Sequence, residues 1–456
     1  MKETPLPLSL RLAVFFLFTT QNIGNTMIPV FIGYMVYSFL EDQFDDKDIN
    51  IKVAYYTGLI EANYKLMSFI GSFLWGYVSD HISRKSTLLL VLIGNILSYL
   101  LLGLSVNYSM AFFARAIAGL CAGIVPITKA TMKDMTDKTN YPKLFSYCGM
   151  GTGFGSLLGP LIGGLLSNPC FAYPSKFSCS YLSLFPYLFP NIFYILSVFI
   201  CITLVKISIK PIQTKSVTPE KTEIFKELIM NKNFFLSVFC YGLIAAAQLG
   251  FRVLLALWVK TPQDLGGIGW TTTKTLGLVQ SIGALIIIGF SYIAVPWFSL
   301  KFGNLISCAL FSGFLCPLIF LCPFTRDFDY IWLLVFMTMI YGFVMAFFTS
   351  YISLISIEIS NSVSPSIVGS ANGLSQGLVA LFSASASATV GGIYGWTLAI
   401  NSSFPFDCHF TFIVLCGIIL ICIFITLWPR KSKPEVPNEF KNIIESQEVS
   451  VVESKN

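Results

Sequence analysis

Residues 409–428, HFTFIVLCGIILICIFITLW, run for 20 positions without one Asp, Glu, Lys or Arg. As a helix rising ~1.5 Å per residue, that length matches the ~30 Å hydrocarbon thickness of a bilayer. Comparable stretches predict twelve spans, at 10–38, 53–78, 86–107, 109–132, 142–166, 185–206, 233–260, 272–298, 302–322, 329–356, 367–390 and 408–428. A soluble chain of 456 residues could not cover its surface with 11% charged residues, against about 25% in soluble domains. The sequence predicts an all-α membrane protein of many passes.

The same counts exclude other classes. The net charge of +6 is spread through the loops between spans and forms no single patch, so no nucleic-acid partner is expected. There is no Walker A string, which excludes a P-loop pump, and two histidines in separate loops offer no nucleophile–base–acid set. Neither enzyme activity nor a resident cofactor or metal is expected. The twelve cysteines fall mostly inside apolar runs, where they behave as small hydrophobes. Cys170 and Cys179 share the loop after the fifth span and can pair only in an oxidising compartment. MKETPLPLSLR is too polar, and the apolar run after it too long, for a cleaved signal peptide.

The spans divide six and six around the charged segment 207–232, giving bundles at 1–206 and 233–428 and a charged, disordered tail at 429–456. Within the linker, Thr218 and Pro219 suit the start of a helix whose apolar face is Ile224, Phe225, Leu228 and Ile229. A cytoplasmic N-terminus collects Lys2, Arg11, Arg84, Lys85, Lys133, Lys138, Lys143, the linker lysines, Lys301, Arg430 and Lys431 on one side. Only Lys47, Lys52, Lys176, Lys260, Lys274 and Arg326 remain on the other, so both termini are expected inside. Two sequons, at Asn107 and Asn401, fall outside. Asn107 sits too near the membrane, which leaves Asn401 as the glycosylation candidate. A monomer in the plasma membrane or an internal membrane (vacuolar, Golgi or ER) is expected.

Between the second and third spans lies GYVSDHISRKS, residues 76–86. A positive anchor accounts for Lys85 but not for Asp80 or Gly76. The fourth span carries RAIAGLCAG, placing Arg115, Gly119 and Gly123 at helical spacing. The fifth carries GSLLGPLIGG, with Gly155, Gly159, Pro160, Gly163 and Gly164. Glycines four apart let helices touch closely, and a buried proline lets one bend.

Gly76, Asp80, Arg84 and Lys85 resemble the loop signature of the major facilitator superfamily, with His81 and Ser83 departing from it. The Gly-Pro string resembles that superfamily's antiporter motif. Longer segments (GLIEANYKLMSFIGSFLWGYVSD, TPQDLGGIGWTTTKTLGLVQSIGA and SPSIVGSANGLSQGLVALFSA) resemble its eukaryotic drug:proton antiporter and zinc-induced-facilitator-like branch, across nearly the whole chain. The resemblance implies two six-helix bundles with pseudo-twofold symmetry and proton antiport of a small organic solute: a drug-like compound, organic acid or metal chelator. It also implies a breakable latch. Asp80 faces the positive start of the eleventh span near Gly369 and Ser370, worth about 0.3–1 kcal/mol when exposed, and Arg84 faces Asp134. His81 is a loop residue or, on a minority reading, a pH sensor.

Charges inside spans are expensive, and therefore functional candidates. Glu61, Lys65, Arg115 and Arg252 qualify, with Lys129 near a span end. A buried carboxylate beside a cation is drawn toward protonation by desolvation and toward ionisation by its partner, which suits proton exchange. Glu61 and Lys65, four apart, equally suit a static pair. Arg115 is the other partner, or a substrate anchor. The acidic run EDQFDDKD reads as a solvated loop, and Tyr34, Tyr64, Trp258, Phe347 and Trp396 can line a cavity or fill a core. A facilitator or symporter of the same fold, or a non-transporting scaffold or receptor, remains open.

Overall fold

The computed structural model describes residues 6–136, 141–172, 184–209, 231–363, 368–400 and 402–428. Within them all regular structure is helical: α1 (Leu8–Leu40), α2 (Asp46–His81), α3 (Arg84–Gly103), α4 (Tyr108–Leu120), α5 (Ile124–Met135), α6 (Tyr141–Leu166) and one-turn α7 (Pro169–Ala172). The chain continues through α8 (Leu188–Ser208), α9 (Lys232–Lys260), α10 (Thr273–Phe302), α11 (Asn304–Leu321), α12 (Tyr330–Asn361), α13 (Val368–Ile400) and α14 (His409–Thr426). Eleven helices among the described residues are long and apolar enough to cross a membrane, counting α4 with α5. The twelfth position belongs to α2. Its 36 residues reach far enough, but Asp48, Lys52, Glu61 and Lys65 dilute its apolar character.

Helix pairing repeats between the halves. In the first, α1 packs on α6 and α8, α2 on α4, and α3 on α8; in the second, α9 packs on α13 and α14, α10 on α12, and α11 on α14. The two large contacts across the halves, α2 with α13 and α6 with α10, interchange under the same operation. This is the pseudo-twofold arrangement of two six-helix lobes. One apolar core is drawn from residues 17–209. The other belongs to the second lobe, but takes in Val30, Val36 and Leu40 of α1 with Ile49, Val53 and Ala54 of α2. The lobes therefore share a dry seam at the end of the bundle opposite the N-terminus, here called the distal end.

The fourth span is not one helix, contrary to the continuous 109–132 expected from its apolarity. It stops at Leu120 and restarts at Ile124. Carbonyls freed by such a break need donors. The Trp75 indole donates to the Leu120 carbonyl at 2.6 Å, and Asn95 donates to Cys121 at 3.0 Å. Between α3 and α4 the turn is as tight as expected, and Asn107 caps α4 by accepting from the Met110 amide at 2.9 Å.

Glycines set the helix seams. A Cβ on Gly155 would stand 2.6 Å from the Thr19 carbonyl and one on Gly163 2.5 Å from that of Met27, so this face of α6 lies against the α1 backbone. Gly164 points elsewhere: its Cβ would stand 2.7 Å from the Cα of Gly277 on α10, in the other lobe. Gly58 of α2 meets Gly391 of α13 in the same way. The short helix expected to start at Thr218 and Pro219, with Ile224, Phe225, Leu228 and Ile229 on its apolar face, lies outside the described residues, as do Cys179, Asn401 and the tail from 429.

Candidate functional site

Glu61, Tyr64 and Lys65 stand at helical spacing on α2, so their side chains share one face. Glu61 does not pair with Lys65, as local spacing allowed. Its partner is Arg115 of α4, whose Nη2 lies 2.8 Å from one carboxylate oxygen and 3.0 Å from the other. Their side chains are only 2% and 3% exposed. The Arg115 guanidinium also lies 4.0 Å over the Tyr64 ring, a geometry in which the ring face attracts the cation. Arg115 Nε, buried, finds no hydrogen-bond partner.

Around the pair runs a polar network that sequence reading passed over. The Tyr64 hydroxyl donates to Asn25 of α1 at 3.1 Å, and Gln21, one turn earlier, reaches the same oxygen at 3.5 Å. Tyr99 of α3 stacks on Tyr194 of α8 with ring centroids 3.6 Å apart, and Tyr194 donates to Asn95 at 3.1 Å. The signal was present in TTQNIGNT, residues 19–26, a polar string inside an apolar span. From the second lobe, Arg252 of α9 lies within electrostatic range of Lys65 and of Tyr341 on α12. Of the other aromatic candidates, Tyr34 reaches the distal closure. Trp258 is sealed in the second-lobe core against Phe412, Phe347 packs on Phe290, and Trp396 is half-exposed. Lys129 is exposed on α5.

Polar contacts close the distal end between the lobes. The Tyr34 hydroxyl of α1 donates to the Trp270 carbonyl at 2.9 Å. Lys260 of α9 places its ammonium 3.0 Å from the centroid of the Tyr37 ring. Thr273 of α10 donates to the Gly164 carbonyl of α6 at 3.0 Å. A buried ion pair at the centre of one lobe, a cation of the other lobe within electrostatic range of Lys65 beside it, and a closure between lobes at one end form the frame of a membrane carrier.

A model of the Major Facilitator Superfamily matches residues 12–387. The chain belongs to that superfamily. Protein ZINC INDUCED FACILITATOR 1 of Arabidopsis thaliana is 22% identical over 433 residues, 89% of each chain. The multidrug transporter mfsB of Aspergillus fumigatus is 35% identical over 159 residues, 34% of this chain and 26% of that one. The solved D-xylose-proton symporter superposes with a TM-score of 0.69 at 16% identity, covering 92% of this chain and 97% of that one. As a major facilitator the chain is a multi-pass membrane transporter of the drug and solute type.

In this major facilitator the loop after α2 is partly described. Arg84 donates from Nε to Asp134 at 3.2 Å and from Nη1 to Ser79 at 2.7 Å, while Lys85 donates to the Lys206 carbonyl at 2.7 Å. Ser83, where the superfamily signature has glycine, caps α3 by accepting from the Ser86 amide at 3.2 Å, which gives the departure a local reason. The side chains of Gly76, Asp80, His81, Gly369 and Ser370 lie outside the described residues.

Proposed function

We propose that this chain exchanges a small organic solute for protons by alternating access between its lobes. The observation that carries this reading is the Glu61–Arg115 pair. Glu61 is the single buried acidic side chain among the described residues, and one guanidinium nitrogen holds it. A proton arriving at Glu61 removes the charge that binds Arg115 and frees the guanidinium for another acceptor; loss of the proton restores the pair. Neutralising one member of a buried pair strands the other at ~3–5 kcal/mol unless it gains a new acceptor, so protonation of Glu61 is tied to Arg115 engaging one.

The name of the multidrug transporter among the relatives supports a drug-like compound as the solute; an organic acid or metal chelator rests on the resemblance of the sequence segments alone. The distribution of Lys and Arg supports cytoplasmic termini, which makes the distal closure the non-cytoplasmic gate. Rocking of the repeats about a central site then exposes it to each side in turn. Asp80 with Arg84 and Asp134 serves as the latch between states, and the α6 glycines as the bending seam.

Metabolite comparison between cells lacking and overproducing the protein identifies a carried solute. In proteoliposomes, a pH gradient then drives its accumulation, and Glu61→Gln abolishes that accumulation while leaving exchange at equal pH. Accumulation that persists in Glu61→Gln makes the pair structural and the protein a facilitator, or a symporter coupled elsewhere.

A further inference from the structure

We propose that the solute carries a carboxylate or phosphate group, and that Lys65 of the first lobe and Arg252 of the second hold it between them. This inference rests on the translocation reading of the same site and narrows its substrate class.

Charge is the first argument. The mid-span set contains one carboxylate, Glu61, among three cations, and Arg115 already occupies it. Lys65 and Arg252 belong to different lobes and lie within electrostatic range of each other, although Glu61 and then Arg115 act on Lys65 more strongly. Neither forms an ion pair within 4.0 Å among the described residues. Both residues are half-buried, where like charges repel more than in open water, and an anion placed between them turns both interactions attractive. A cationic solute would add a third positive charge, and a neutral one would leave the repulsion uncorrected.

Hydrogen bonding is the second and independent argument. Arg252 Nε and Gln280 Nε2 of α10 are buried donors without an acceptor. Such groups are rare in folded proteins, and each calls for an explanation. Gln280 lies one turn from Gly283, against which the Tyr341 ring packs, and Tyr341 in turn feels the charge of Arg252. The unmatched donors thus gather on the side of the second lobe that faces Lys65. Arginine and amide N–H groups cannot accept, so only an acceptor-rich group satisfies them, and the guanidinium fork fits carboxylate or phosphate oxygens. An anion bridging two lobes also ties its own binding to their approach, whereas either lobe alone offers only half the site.

Thermal unfolding of the full chain in nanodiscs tests this with defined probes at about 10 mM, where weak ligands still stabilise by mass action. Benzoate, succinate and inorganic phosphate are compared with benzamide, succinamide and benzylamine; the separate arms distinguish a carboxylate from a phosphate. At least one anion raises the melting temperature and its neutral or cationic analogue does not. Lys65→Gln and Arg252→Gln each weaken that response about tenfold, as expected for loss of one charge-assisted contact, while Arg252→Lys retains part of it. Without ligand, Arg252→Gln melts no lower than the parent, because it relieves repulsion; a purely structural arginine would lower it.

Stabilisation by benzylamine or benzamide alone, by none of the anions, or by anions equally in both Gln variants overturns the proposal. Its failure is separable from that of proton exchange. Anion binding through Lys65 and Arg252 with gradient-driven flux unaffected by Glu61→Gln removes the coupling reading only. Glu61-dependent flux of a cation removes this one only.

Discussion

Arg115 grips Glu61 across 54 residues of sequence through a single nitrogen that serves both carboxylate oxygens, and its Nε is left with nothing to bind. Because the second nitrogen does not share the load, the grip is one that a proton can release. Removing one partner strands the other charge in a nearly sealed site, a cost of ~3–5 kcal/mol. Arg115→Ala is therefore expected to unfold at markedly lower temperature. The double change Glu61→Ala with Arg115→Ala should recover much of the loss, as a thermal double-mutant cycle will record. Simple additivity of the two changes would show that the groups do not interact.

The distal closure makes a different forecast. Lys260→Met removes a cation–π contact of ~0.5–2 kcal/mol, and Tyr34→Phe removes a hydrogen bond of ~0.5–1.5 kcal/mol. Each loosens the lobes where α1 meets α9 and the segment after it, without touching the Glu61 pair. Hydrogen exchange at residues 261–272 should quicken in both variants while exchange in α3 and α8 stays as before.

Gly277→Val probes the crossing of α6 and α10. Its Cβ would stand 2.5 Å from the Pro160 carbonyl and 2.6 Å from the Cα of Gly164. Overpacking of this kind costs ~1–3 kcal/mol, and here it falls on the contact between lobes. Transport should drop by about tenfold for each ~1.4 kcal/mol that the closed arrangement loses, with purification yield little changed.

The interruption of the fourth span depends on two borrowed donors. Trp75→Phe orphans the Leu120 carbonyl, and Asn95→Leu leaves Cys121 with only the Gly123 amide at 2.9 Å while depriving the Tyr194 hydroxyl of its acceptor, each at ~1–3 kcal/mol. Unfolding temperatures should fall in both. Equal stability in Trp75→Phe would mean that the Leu120 carbonyl is satisfied elsewhere.

A contrasting case is Arg84 with Asp134, whose side chains are 12% and 24% exposed. Asp134→Asn should cost no more than ~1 kcal/mol. That difference should vanish in high salt, where the Debye length shrinks to ~3 Å at 1 M.

What could be read from the sequence follows physical range. Run length and the scarcity of charge delimit the spans directly, so α1 at Leu8–Leu40 and α14 at His409–Thr426 come out within a few residues of expectation. Glu61 and Arg115 are conspicuous as charges inside apolar runs. Their union stands in the sequence only as one alternative, because spacing on one helix advertises Lys65 at four residues and does not choose between it and Arg115 on another helix. Gln21 and Asn25 are uncharged and pass for tolerated polar residues until Tyr64 is seen above them. The gap at residues 121–123 is invisible because its compensation comes from Trp75 and Asn95, on two other helices.

Gly163 and Gly164 are neighbours in the chain with opposite obligations. The first is mortared to Met27 inside its own lobe, and the second rests on Gly277 across the divide. A bulky residue at the first should spoil manufacture of the protein, and one at the second should leave a well-made molecule that no longer turns over. Two adjacent codons thus separate the defect of assembly from the defect of motion.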